Sequence, residues 1–173
     1  MELHERFRQQ ALSYCGAADV LWDADIPKSG YEKPHNHYLG PCLQCVGYGY
    51  ELFLKTVLLK NGLSSKQLRS RPYGHDIWHM WNKDILKSRR DQAQLHAEIC
   101  HQELANEARG IEPPKARTFL THFEHLSKLH SQSSDYALRY PEVQMLVPEP
   151  SLLIAVLDRL VRAEKHGERI IRI

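Results

Sequence analysis

One stretch of eleven residues concentrates side chains that could do acid–base chemistry. Residues 69–79, RSRPYGHDIWH, contain two arginines, two histidines and one aspartate around a proline and a glycine. An imidazole can exchange a proton near neutral pH, and a guanidinium can donate two parallel hydrogen bonds to a phosphate. This combination is therefore typical of a site that handles a phosphodiester. Helix-start chemistry at Gly74 and Asp76 accounts for part of the same pattern without any catalysis.

Positive charge is concentrated around this stretch. Residues 60–90 hold eight lysines and arginines against Asp76 and Asp84, an excess of six, whereas the whole chain has a net charge of +2. A basic segment of this kind can attract a polyanion such as RNA. A solvated helix face followed by a basic loop has the same composition, so both interpretations stay open.

A second group of residues could bind a metal ion. His35, His37, Cys42 and Cys45 are zinc-type ligands within eleven residues. The two cysteines, however, open an apolar segment in which both can pack as small core residues. His75 and His79 share a helix face but lack a third ligand at a suitable spacing. We therefore predict no tightly bound zinc and no metal site.

The hydrophobic pattern has a helical period along most of the chain, and no segment alternates with a period of two. It predicts an all-α bundle of five to six helices in a single domain over residues 1–173. A long loop over 23–41 and a second loop over 62–74 should interrupt the pattern, with Gly62 ending the helix before it. The helices are expected over about 3–22, 42–60, 76–89 and 91–109, after Pro113–Pro114, and over 151–166.

The same periodicity predicts which residues face the core. They are Phe7, Ala11, Cys15, Ala18 and Trp22 in the first helix; Ile77, Trp81 and Ile85 in the third; Leu95, Ile99, Leu104 and Ala108 in the fourth; Phe119, Phe123, Leu126 and Leu129 in the fifth; and Leu152, Leu153, Val156, Leu157, Leu160 and Val161 in the last.

The segment 42–60 is apolar nearly all round, which is typical of the central helix of a bundle. Glu51 and Lys55 are among its few polar residues and are spaced to pair along the helix. Gly47 and Gly49 lower helix propensity, so we expect them where a neighbour approaches closely. That neighbour could belong to a second subunit.

Several classes of protein are disfavoured by composition. No apolar run approaches the ~20 residues of a membrane span, and the N-terminus lacks the apolar core of a secretion signal. Four scattered cysteines are expected as thiols. Neither a Rossmann fingerprint nor a Walker A lysine is present. We expect a cytoplasmic protein with no cofactor and no membrane partner.

Three segments together resemble the HEPN superfamily (higher eukaryotes and prokaryotes nucleotide-binding domains). They are GYGYELFLKTVLLKNG at 47–62, YGHDIWHMW at 73–81 and YALRYPE at 136–142, and the likeness covers residues 42–86 best. The resemblance implies an α-helical bundle, a homodimer and, in many members, metal-independent RNA cleavage. The family's catalytic signature is an arginine, four to six residues, and a histidine. Arg69 and His75 fit, with five residues between them. The family usually has Asn, Asp or His directly after the arginine, whereas this chain has Ser70.

The resemblance implies roles for individual residues if the protein cleaves RNA. His75 would be the acid–base group and Arg69 or Arg71 the charge stabiliser, with Asp76 orienting the imidazole. The residues expected to contact nucleic acid are Lys66, Tyr73, His79, Lys83 and Lys87. Metal-independent cleavage is the alternative to the interpretation that we place first, a dimeric module that binds nucleic acid or a partner protein, such as a nucleotidyltransferase. In such a module, Gly74, His75 and Asp76 have only a structural role.

Overall fold

The helical periodicity of the sequence produces an all-α structure in the computed structural model, which describes residues 1–25, 37–107, 118–130 and 148–166. There is no strand within these ranges, as expected. Five long helices account for the predicted bundle, and two single-turn helices and one 3-10 turn are added. They are α1 (Leu3–Asp25), α2 (Leu39–Lys60), α3 (Ser65–Arg69), α4 (Ile77–Trp81), the 3-10 turn Asp84–Leu86, α5 (Lys87–Glu107), α6 (Thr118–His130) and α7 (Pro150–His166).

Helix α2 lies at the centre of the fold, in contact with α1, α4, α6 and α7. Its all-round apolar character buries Tyr50, Phe53, Leu54 and Leu58 completely. Each such side chain contributes about 1.5–3 kcal/mol through removal of apolar surface from water. Any polar group on α2 that faces a neighbour is therefore placed in a low-dielectric environment and needs a partner.

The outer helices bury the faces that the periodicity predicts. All four predicted positions of α6 and all six of α7 are buried. In α1, Ala11, Cys15 and Ala18 are buried as predicted, and Trp22 packs against the core at its edge. Phe7, also predicted to face the core, is only half-buried. Since α1 and α7 both pack on α2, these three helices form the main layer of the core.

The boundaries predicted for the third and fourth helices, about 76–89 and 91–109, are wrong. Lys83 has an extended backbone (φ −68°, ψ 139°), which separates α4 from the 3-10 turn. Arg90 fixes this break, because its Nη1 donates to the carbonyls of Trp81 and Lys83. The break rotates the following residues, so Ile85 is 40% exposed rather than buried.

Helix α5 faces the core with small residues instead of the predicted leucine stripe. Ala93, Ala97 and Cys100 are buried, whereas Leu95 is 39% exposed and Ile99 is only half-buried. These small side chains allow α7, which contacts α5, to approach closely. Leu104 and Ala108 of the predicted stripe lie outside the described side chains.

The predicted loop 62–74 contains the short helix α3. Ser64 caps this helix: its Oγ accepts from the Gln67 backbone N–H, and the Gln67 side chain accepts from the Ser64 backbone N–H. This capping box was readable as Ser-x-x-Gln, but one turn is too short to show periodicity. The longer loop is also shorter than predicted at both ends, and residues 26–36 lie outside the described ranges. None of the helices described is both long and apolar enough to cross a membrane.

Two glycines should respond oppositely to alanine. Gly62 has φ +93°, a left-handed conformation that confirms the predicted helix stop. We expect Gly62→Ala to lower the free energy of unfolding by about 1–2 kcal/mol, because a Cβ is strained there. Gly16 lies exposed inside α1 with no atom within 4 Å of a built Cβ. Gly16→Ala should raise stability by about 0.5–1 kcal/mol through helix propensity. Urea unfolding measures the change in stability of both variants. A change in the same direction for both would contradict the roles given to the two glycines.

Candidate acid–base site

The site is built around Glu51, a carboxylate whose side chain is only 6% exposed on α2. Three donors reach it from three parts of the chain. Lys55 Nζ lies 2.6 Å from Oε1, while His75 Nδ1 and His130 Nε2 lie 3.0 and 2.9 Å from Oε2. Both carboxylate oxygens are thus satisfied, which a buried charge requires.

His75 is brought to Glu51 by the turn before α4. Lys55 Nζ donates to the Gly74 carbonyl at 2.7 Å, so the same ammonium holds both the carboxylate and the turn. After the turn, Ile77, Met80 and Trp81 anchor α4 in the core. His75 is consequently fixed on both sides of its backbone.

His130 reaches Glu51 from the end of α6 by lying across α2 at Gly47. A Cβ on Gly47 would come within 2.8 Å of the His130 Cγ, and closer still to Nδ1. The predicted close approach at this glycine is therefore made by an imidazole of the same chain. Gly49 is used in the same way, since its Cβ would come within 2.6 Å of the Leu157 Cδ2.

Glu51 is ionised at neutral pH despite its burial. Burial alone raises the pKa of this carboxyl, but the hydrogen bond from His130 and the charge and hydrogen bond of Lys55 outweigh it, with a further contribution from His75. The net result lowers the pKa of Glu51 to about 2. A carboxylate can only accept hydrogen bonds, so the ring nitrogens of His75 and His130 that face it must be the donors.

The tautomer that follows gives His75 a chemical role. Its Nδ1–H is directed to Glu51, so Nε2 is the ring nitrogen left to accept a proton from a ligand. The side chain is 49% exposed, whereas that of His130 is 5% exposed. A carboxylate that orients an imidazole and stabilises its protonated form is the arrangement of a general base. Only His75 can present this base to a substrate.

A divalent ion is a poorer account of the same residues. The ligand atoms of Glu51, His75 and His130 lie within 4.8 Å of one another, and these residue types bind metals. Lys55 Nζ, however, is 2.6 Å from the same carboxylate, so an ion would place two more positive charges beside an ammonium. Hydrogen bonds from two imidazole N–H groups and one ammonium satisfy the Glu51 carboxylate without this additional positive charge.

The structure gives Asp76 a different role from the one expected. Its Oδ1 accepts from the His79 backbone N–H at 2.7 Å, which makes it the N-cap of α4. The carboxylate in contact with His75 is that of Glu51, not Asp76. The helix-start interpretation is thus correct for Asp76, while His75 makes a separate contact.

The predicted phosphate-binding residues are on the surface near this turn. Arg69 and Arg71 are exposed, and neither forms an ion pair within the described part of the chain. Lys66 and Lys87 are also exposed, whereas Lys83 is half-buried.

Two other predicted contact residues are engaged within the protein. Lys83 Nζ lies 5.2 Å from the centre of the Tyr73 ring, and the His79 ring meets that of Tyr73 edge-on at 5.3 Å. The His79 Nε2 is buried and has no hydrogen-bond partner among the residues that the structure describes. Tyr73 and His79 are therefore less available to a ligand than the sequence suggests.

Among the described residues, the predicted zinc-type ligands do not form a cluster that could hold a metal ion. The Cys42 thiol is buried and donates to the Ala18 carbonyl at 3.4 Å. Cys45 is half-buried and His37 is exposed, while His35 lies outside the described residues. The absence of zinc stays a prediction.

Comparison with known proteins adds no relative. No protein-family model matches the chain, and no similar curated protein or solved structure was found.

Alanine at Gly47 tests the packing of His130. We expect Gly47→Ala to lower the free energy of unfolding by about 2–4 kcal/mol, because it overpacks the crossing and removes a donor from a buried carboxylate. In a His130→Ala background the same change should be neutral or stabilising, since the ring it meets is gone. Urea unfolding of the four proteins of this cycle gives the coupling. Additive effects would show that the ring does not lie over Gly47.

The lowered pKa of Glu51 predicts acid sensitivity. Because Glu51 has a pKa of about 2 in the folded protein against an ordinary value of 4.5, its ionisation stabilises the protein above pH 4.5. This stabilisation is about 3 kcal/mol and is lost as the pH falls through 2. Glu51→Gln should lack this component, so its stability should depend less on pH over that range. Urea unfolding of both proteins between pH 6 and 2 measures the difference, with the exposed pair member Glu124→Gln as control. Parallel curves for wild type and Glu51→Gln would contradict it.

Proposed function

We propose that the protein cleaves single-stranded RNA without a metal ion, with His75 as its acid–base group. The observation that carries this proposal is the Glu51–His75 pair: a buried carboxylate fixes Nδ1 of an imidazole that is itself half exposed. A purely structural histidine needs a partner but has no need of this exposure. The resemblance of residues 42–86 to HEPN proteins supports the same reaction.

The reaction follows from the tautomer of His75. Its Nε2 accepts the proton of the RNA 2′-hydroxyl, and the 2′-oxygen attacks the adjacent phosphorus. The P–O5′ bond breaks, which leaves a 2′,3′-cyclic phosphate on one strand. The departing 5′-oxygen takes its proton from water or from a second copy of the site in a homodimer. Glu51 balances the positive charge that develops on the imidazole.

The exposed arginines supply the second requirement of this chemistry. Negative charge accumulates on the phosphate oxygens as the 2′-oxygen attacks, and a guanidinium stabilises it without losing a proton. Arg69 and Arg71 precede His75 in the chain by six and four residues, and both are exposed. Lys66 and Lys87 would hold phosphates farther along the strand, where each contact adds salt-dependent affinity.

The second candidate function is a dimeric module that binds nucleic acid or a partner protein without cleavage. One observation favours it: Lys55 and Glu51 tie the Gly74–His75 turn to α2, which by itself stabilises the fold. The basic surface would then bind a polyanion or an acidic partner. The two functions differ in whether the Nε2 of His75 is needed to exchange a proton.

Cleavage in the presence of EDTA decides between the two functions. We expect the purified protein to cut single-stranded RNA under these conditions, because the proposed chemistry uses no metal. His75→Ala should reduce the rate by about 10²–10⁴-fold, the usual contribution of a positioned acid or base. Arg69→Ala should also abolish turnover, and Arg71→Ala should have a smaller effect. Glu51→Gln should reduce the rate by removing the charge that orients His75.

The matched control is His125→Ala, which changes a half-buried imidazole on the same helix as His130. Circular dichroism should show that each variant is folded before its rate is compared. Equal cleavage by wild type and His75→Ala, or none by either, would reject the catalytic proposal and leave the binding module.

A further inference from the structure

A row of aromatic rings leads from the candidate site over α2 to α1, and its second member, the His130 ring, is buried. The His75 and His130 rings are 6.5 Å apart, the Tyr48 ring meets His130 edge-on at 4.9 Å, and the Tyr14 ring lies 5.5 Å from Tyr48. Tyr48 is three residues before Glu51, so both lie on one face of α2. Two ring-to-ring steps therefore separate Tyr48 from the imidazole that would do the chemistry.

This face of α2 becomes accessible to solvent at Tyr48. Glu51 and Lys55 are covered by the turn and by His130, whereas Tyr48 is half-buried and Tyr14 is 37% exposed. Tyr14 and Tyr48 thus present ring surface to solvent beside a phosphate-handling group. Tyr73, an aromatic residue that was also expected to contact nucleic acid, already has a lysine over its ring.

We propose that Tyr48 and Tyr14 form a stacking subsite for an unpaired base next to the phosphate at His75. This inference rests on the proposed function and adds to it a contact with one unpaired base of the RNA strand. Every base has a π-face, so stacking on tyrosine binds single strands with little preference for sequence.

The test measures binding separately from cleavage. Fluorescence anisotropy in a His75→Ala background reports the Kd for a labelled single-stranded RNA of about ten nucleotides, within the range of known single-strand sites. We expect Tyr48→Ala to weaken binding by about 5- to 100-fold, the usual effect of losing one base–aromatic stack. Tyr14→Ala should weaken it less, because Tyr14 is one ring farther from His75. Tyr48→Phe should keep the affinity, because the ring and not the hydroxyl makes the contact.

Tyr38→Ala provides the matched control, since Tyr38 is an exposed tyrosine at the start of α2. An unchanged Kd for folded Tyr48→Ala, or equal losses for Tyr48→Ala and Tyr38→Ala, would overturn the subsite even if wild type cleaves RNA. If Tyr48→Ala raised the Kd for duplex RNA by as large a factor as the Kd for single-stranded RNA, the stacking subsite would also be overturned. If wild type does not cleave but Tyr48→Ala alone weakens single-strand binding, the subsite stands and the catalytic proposal fails.

Discussion

The buried carboxylate of Glu51 is the constraint on which the site and much of the local fold depend. A charge this deep in an apolar helix is tolerated only when all its oxygens are paired. Glu51 therefore requires Lys55, His75 and His130 at hydrogen-bond distance. Satisfying this one group fixes the turn before α4 and the end of α6 against α2.

The same contacts explain how stability and chemistry can coexist here. Lys55 and His130 are held almost entirely within the protein and supply charge balance and position. His75 contributes to the cluster through Nδ1, and in the proposed function its other ring nitrogen would act on the ligand. The proposed function thus uses the exposed member of a structural cluster, and its rigidity comes from the buried members.

Much of the fold could be predicted from the sequence because long apolar stripes dictate which helix faces are buried. The faces of α6 and α7 follow the period in every predicted position. The region 76–109 could not be predicted in the same way, because an extended residue at Lys83 interrupts the phase. That backbone change depends on a tertiary contact, the hydrogen bonds from Arg90, and leaves no periodic signal.

The site was predicted only in part. His75 stood out through its motif, and Glu51 and Lys55 were noticed as a helix pair, but their link to His75 spans 24 residues and the link to His130 spans 79. No local pattern reports such separations. The glycine that makes room for His130 carries an evolutionary consequence. Among descendants of this chain, a change of residue 130 to a small side chain would free position 47 to become any helix former, so these two positions should vary together.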